Sequence, residues 1–169
     1  MEKINQIEIE FNIPKAIDYL KEKKIGLNEY LRIMFMITYF LKEDTYTDIE
    51  YESYVTYLRK YFHKYHKKFS NNPEYLFYMG NIISMGEWYF NIELKQAIAM
   101  IKKASLIEPN NNLYQWINCD LCIKDSKKQQ IYAKKILEDK EAISQLSSKG
   151  LLGQYIIGML ECLSSSDYT

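Results

Sequence analysis

From residue 13 onward, apolar residues recur at three- and four-residue steps, the period of a packed helix. Pro14 suits a first helical turn, and Ala16, Ile17 and Leu20 follow before Ile25-Gly26 ends that helix. Asn28 is a candidate cap for a helix over 29–43, whose Leu31, Ile33, Met34, Phe35, Met36, Ile37, Tyr39, Phe40 and Leu41 leave little polar face. Such a helix belongs in the middle of a bundle. Thr47 or Asp48 caps a helix running to about Phe69, with Tyr51, Tyr54, Leu58, Tyr61, Phe62, Tyr65 and Phe69 as its packed stripe. Shorter helices are expected at 74–86, 92–107, 113–123 and 127–139, with a last one near 150–163 and a polar, fraying tail over 164–169. No linker-like stretch divides the pattern. The expectation is one all-α domain over residues 1–163.

One segment departs from the helical period. Ile7-Glu8-Ile9-Glu10-Phe11-Asn12-Ile13 alternates apolar and polar with period two, as a strand does. Within a helical chain a single strand has no ladder partner. Residues 1–13 are therefore expected as an extended arm, or a helical turn, packed on the bundle. The sharper alternative is a strand donated to another chain, which makes residues 7–13 a candidate route to a homodimer.

Composition narrows the function classes. The chain has 169 residues, Lys+Arg 22 against Asp+Glu 22, and formal net charge +0, so no global field recruits nucleic acid or an anionic membrane. Hydrophobic residues at 47% rule out disorder for most of the chain, and Gly 6 with Pro 3 argue against all-β folds. No apolar stretch approaches the ~20 residues that span a bilayer, and the acidic N-terminus does not read as a signal peptide. Cys 3 is an odd number without a disulfide framework, which points to a cytoplasmic protein with free thiols.

Two spacings raise metal or redox chemistry. Cys119-x-x-Cys122 lacks a βαβ setting and its third cysteine, Cys162, is remote; on a helix the pair reads as small buried apolar residues. His63-x-x-His66 sits among Lys60, Lys64, Lys67 and Lys68, where a cation meets repulsion. Acids from Glu43 to Glu52 near the helix start, and Lys and His near its end, instead complement the helix dipole. The same Lys/His run with Tyr61 and Tyr65 raises RNA binding, which the scarcity of arginine and the zero net charge disfavour. No motif for nucleophilic, phosphate or metal catalysis occurs, so neither enzyme activity nor a cofactor is expected.

Residues 72–109 carry the most specific pattern: Asn72-Pro73-Glu74-Tyr75-Leu76-Phe77-Tyr78-Met79-Gly80-Asn81, then Ala97, Ile101, Ala104 and Pro109. This resembles a tetratricopeptide repeat, in which small residues let two antiparallel helices approach and a proline ends the unit. About five extra residues around Trp88 lengthen the inter-helix turn. A weaker second repeat places Trp116, Ala133 and Leu137, extending the repeat-like region to 72–139. The resemblance implies stacked helical hairpins, a short solenoid with a C-terminal capping helix. It also implies a concave binding face lined by first-helix side chains. By position these are Phe77, Asn81, Ser84 and Met85, then Tyr114, Ile117, Leu121 and Lys124. The turn adds Trp88, an aromatic of the kind that anchors interfaces.

In size, missing catalytic motif and aromatic richness (Tyr 16, Phe 7, Trp 2) the chain is similar to small bacterial immunity proteins. That similarity implies a protein partner, a cognate toxin domain neutralised by steric occlusion. Small tetratricopeptide chaperones, which hold a client segment in a groove, are the alternative.

Overall fold

Side-chain caps set most of the helix starts. The computed structural model describes residues 2–22 and 25–165, and among these the chain is all-α, with no strand. In order come α1 (Glu2–Ile9), α2 (Ile13–Leu20), α3 (Leu27–Glu43), α4 (Asp48–Phe69), α5 (Pro73–Ser84), α6 (Glu87–Phe90) and α7 (Leu94–Ile107). Then follow α8 (Asn112–Asn118), a π-helical turn (Cys119–Ile123), α9 (Ser126–Glu138), α10 (Lys140–Ser147) and α11 (Gly150–Ser165). Asn12, Thr47, Asn72, Asn111, Asp125 and Asp139 each accept a backbone N–H of the helix they precede. Each cap stabilises its helix by roughly 1 kcal/mol. At α4 the cap is reciprocal, since the Glu50 carboxylate also accepts the Thr47 N–H at 2.8 Å. Helix α3 starts earlier than Asn28 suggests. Its cap is Gly26, whose N–H goes to the Glu29 carboxylate at 2.9 Å, while Asn28 lies inside the helix and donates to the Ser148 carbonyl.

The N-terminal segment corrects the alternation reading. Residues 2–9 are helical and residues 13–20 form a second helix, so 1–13 is neither an extended arm nor a strand over its described part. Ile4, Ile7 and Glu8 stand at helical spacing and are buried, whereas Ile9, which alternation would put beside Ile7, is 79% exposed. Phe11 then adopts φ 47, and the N–H groups of Phe11 and Asn12 return to the carbonyls of Glu8 and Ile7. That is a left-handed helix stop, made here without glycine.

Helices α3 and α5 form the centre. Every residue of α3 from Tyr30 to Thr38 is buried, as is every residue of α5 from Tyr75 to Ile83. Helices α2, α4, α5 and α11 pack on α3, and α5 makes its most extensive pairing with α7. Tyr30 of α3 stacks on Tyr65 of α4 at 4.0 Å between centroids and on Tyr75 of α5 at 6.3 Å. Burying such a ring removes a large apolar area from water, worth roughly 1.5–3 kcal/mol. Gly80 is what lets α5 and α7 approach: a Cβ there would lie 2.8 Å from Ile101 Cγ1 and 3.0 Å from the Ala97 carbonyl oxygen.

The C-terminal helices close over this centre. Helices α9, α10 and α11 pack on one another and α8 pairs with α9. Helix α10, absent from the sequence reading, is started by Asp139 and held by buried Leu146. Helix α11 runs through Ser165, into the segment expected to fray; residues 166–169 lie outside the described residues. Among the described residues no helix is long and apolar enough to cross a membrane.

Candidate protein-docking face

The turn between α3 and α4 and the short helix α6 are bound together by one carbonyl. The Leu41 oxygen, in the last turn of α3, accepts both the Tyr89 hydroxyl at 2.7 Å and the Tyr46 hydroxyl at 3.1 Å. From α4, Arg59 donates Nε to the Tyr89 carbonyl at 3.2 Å and Nη2 to the Trp88 carbonyl at 3.3 Å. A guanidinium fork suits this work, because its donors meet two neighbouring carbonyls at once, that of Trp88 already accepting the Asn91 N–H at 3.2 Å. Helix α6 itself stops at Asn91, in the left-handed region at φ 54.

These ties hold a run of aromatic rings. Phe40 meets Tyr46 at 6.2 Å, Tyr46 stacks on Tyr51 at 5.7 Å, Tyr51 meets Tyr89 edge-on at 6.2 Å, and Tyr89 touches Trp88 at 5.2 Å. The run ends in solvent, with Trp88 55% exposed and Tyr46 36% exposed. Ile49, in the first turn of α4, is 84% exposed. Around them Glu43, Asp44, Asp48, Glu50 and Glu52 are all exposed. Thr47 holds the Glu50 carboxyl below its ordinary range, through its N–H and then its hydroxyl. Burial raises the Tyr89 phenol. The α3–α4 turn therefore carries exposed apolar side chains among exposed acids, with the Tyr46 and Tyr89 rings fixed by hydrogen bonds to the Leu41 carbonyl.

Of the sequence-predicted contact residues, only some reach the surface. Trp88 and Lys124 are exposed, and Ser84, Met85 and Leu121 are half-buried. Phe77, Asn81, Tyr114 and Ile117 are buried, which corrects their placement on an open concave face. The reason is geometric: α8 lays Tyr114 flat on Phe77 at 4.7 Å, filling the space an open groove between first helices requires. Trp88 and Lys124 are also not brought together by any shared contact; Lys124 sits at φ 60, where the π-helical turn ends.

Tyr46, Ile49 and Tyr51 are the members sequence reading missed as a surface. A signal existed. Ile49 lies off the Tyr54–Leu58–Tyr61–Tyr65 stripe that α4 buries, in a first turn that Thr47 caps, so an apolar residue there faces outward.

Of the C-x-x-C and the His pair, Cys119 is buried, Cys122 and His66 are half-buried and His63 is exposed. Cys119 is buried in the π-helical turn and Cys122 donates weakly to the Ile98 carbonyl, and burial raises both thiols. His66 Nδ1 lies 3.3 Å from the Tyr75 hydroxyl, against Phe62, and burial lowers its basicity.

Comparison of the chain with protein-family models, with curated proteins and with solved structures finds no match.

Proposed function

We propose that this chain is a non-enzymatic protein-binding module of the cytoplasm, an immunity-type protein that neutralises a cognate toxin domain by covering its working surface. The observation that carries the reading is the solvent-facing Trp88, joined through a run of rings to the turn that bears the exposed Glu43–Glu52 acids. A desolvated aromatic at the centre supplies binding energy, and those acids attract a basic toxin and orient it on approach. The rings are held before binding, so little ordering cost opposes association.

The pairing of α5 with α7 across Gly80 supports a second reading, a tetratricopeptide-type chaperone or adaptor built on a short helical solenoid. The buried state of Phe77 and Tyr114 counts against an open groove, which favours the first reading.

The test is rescue. Cells expressing a toxin domain encoded beside this chain should survive when the chain is co-expressed, and should die with Trp88→Ala. A one-to-one complex with a folded domain supports immunity. Binding only to an unfolded segment, or no rescue by the native chain, sinks it.

A further inference from the structure

At the other end of α5 from Trp88 lies an open cleft of about 560 Å³, between the starts of α5, α8 and α10. Its charged lining is Glu74, Glu108, Asp139 and Glu141 against one cation, Lys149. All four acids are partly committed: Glu74 pairs with Lys149, and Glu141 accepts the Gln145 side-chain amide at 3.3 Å. Asp139 caps α10, and Glu108 accepts the Asn111 side-chain amide at 3.0 Å.

Acidity alone would not make this a binding site. The second observation is a pair of phenols. Tyr78 and Tyr114 line the cleft and are 4% and 6% exposed, yet neither hydroxyl has a hydrogen-bond partner among the described residues. Neither hydroxyl oxygen is among the side-chain atoms sealed from solvent without a partner, so both open onto the cleft and can be met by a group from outside. Both lie in the field of Glu74, and Tyr114 also in that of Glu108. A group that satisfies them donates hydrogen bonds and carries positive charge.

The protein itself displays the type of group that fits. Lys149, at the corner between α10 and α11, pairs with the Glu74 carboxylate and holds its Nζ 5.2 Å from the Tyr78 ring centroid. An ammonium is thus already stabilised by one carboxylate and one ring face. The two hydroxyls, and Glu108 through the oxygen that Asn111 does not use, remain for a second cation.

We infer that this cleft is a binding site for an organic cation, an alkylammonium or guanidinium group, with Tyr114, Tyr78 and Glu108 as its contacts and Lys149 as an internal competitor. The cation comes either from a free polyamine or from a lysine or arginine side chain of another protein. The site is independent of the Trp88 face and stands if that reading fails.

Titration calorimetry on the full chain tests it, with spermidine and N-acetyl-arginine amide as probes and magnesium chloride at equal ionic strength as the control. Saturable binding of at least one probe is expected. Tyr114→Phe, which keeps the ring, should weaken it roughly tenfold. Lys149→Met should strengthen it, because Glu74 is released. Circular dichroism checks that both variants keep their helix. Spermidine binding moved by the variants supports a polyamine as the source, and binding of the arginine amide alone supports a protein side chain. Failure of both probes to saturate overturns the inference. So does binding that both variants leave unchanged, or binding that magnesium displaces as well as it displaces simple counterions.

Discussion

Arg32 and Glu8 form a two-point ion pair inside the protein. Arg32 Nε donates to Glu8 Oε1 at 2.9 Å and Nη2 to Oε2 at 2.5 Å, with Arg32 2% and Glu8 7% exposed. Arg32 also donates to Asn5 Oδ1 at 2.7 Å, and the Leu151 N–H donates to the same carboxylate at 3.4 Å. The pair joins α1 and α3 to the start of α11, where Gly150 at φ 58 leaves room that a Cβ would take from Glu8 and Arg32. Removing one partner strands the other charge out of water, which costs roughly 3–5 kcal/mol. Glu8→Gln and Arg32→Met should each lower the free energy of unfolding by that much, read as a lower urea midpoint at unchanged slope. Glu8→Leu combined with Arg32→Met should recover most of the loss, because no buried charge remains.

Gly80→Ala tests the approach of α5 to α7. Its Cβ would meet a backbone oxygen, that of Ala97, which moves only with the helix. Overpacking of this kind costs about 1–3 kcal/mol, despite the higher helix propensity of alanine. A thermal melt that rises instead would show that α7 yields freely.

The tyrosines predict a steep loss of stability in alkali. Burial raises the phenols of Tyr19, Tyr30, Tyr54, Tyr61, Tyr65, Tyr75, Tyr78, Tyr89 and Tyr114 above the ordinary 10.0. For Tyr19, burial and then the hydrogen bond to Glu29 push the value up to about 12. Below pH 10 both folded and unfolded chains keep these phenols neutral, so the stability is fully present. Above it the unfolded chain releases protons that the folded chain retains. Each such phenol then favours unfolding by up to about 1.4 kcal/mol per pH unit. Tyrosinate absorbance should lag behind that of free tyrosine and then rise together with the loss of helical circular dichroism. Smooth titration with intact helix would contradict this.

Trp88→Ala should separate binding from folding. The side chain is more than half exposed, so the free energy of urea unfolding should change little, by about 0.5 kcal/mol or less. Affinity for the partner, read by calorimetry, should fall by about 2 kcal/mol or more if Trp88 anchors the interface. Ile49→Ser is the companion variant and should weaken binding less, since Ile49 belongs to no ring contact.

Much of the fold was legible because its signals are local. The Thr47 cap and the tyrosine stripe of α4 act within a few residues along the chain, and both lie where the pattern put them. The spacing of Gly80, Ala97, Ile101 and Ala104 predicts a close helix pair, and α5 and α7 make one. The N-terminus misled because Ile7, Ile9, Phe11 and Ile13 fit period two, while Ile4 and Ile7 also fit period 3.6. A short segment carries both, and the buried partner of Glu8 decides between them. That partner, Arg32, is 24 residues away.

The candidate surfaces were the less legible part. Local sequence determined that this chain is helical, where most helices begin, and that one of them, α3, has almost no polar side to show to water. Which aromatic rings face solvent was decided by how the helices stack. Phe77 and Trp88 are both large apolar residues near α5, yet Tyr114 covers the first while the second stays 55% exposed. The same holds for charge: a net of +0 resolves into an anionic, ring-bearing end and an acid-lined cleft only once distant helices meet. Caps and periodicity are short-range interactions and so can be read along the chain, whereas burial depends on which remote surfaces exclude water from each other.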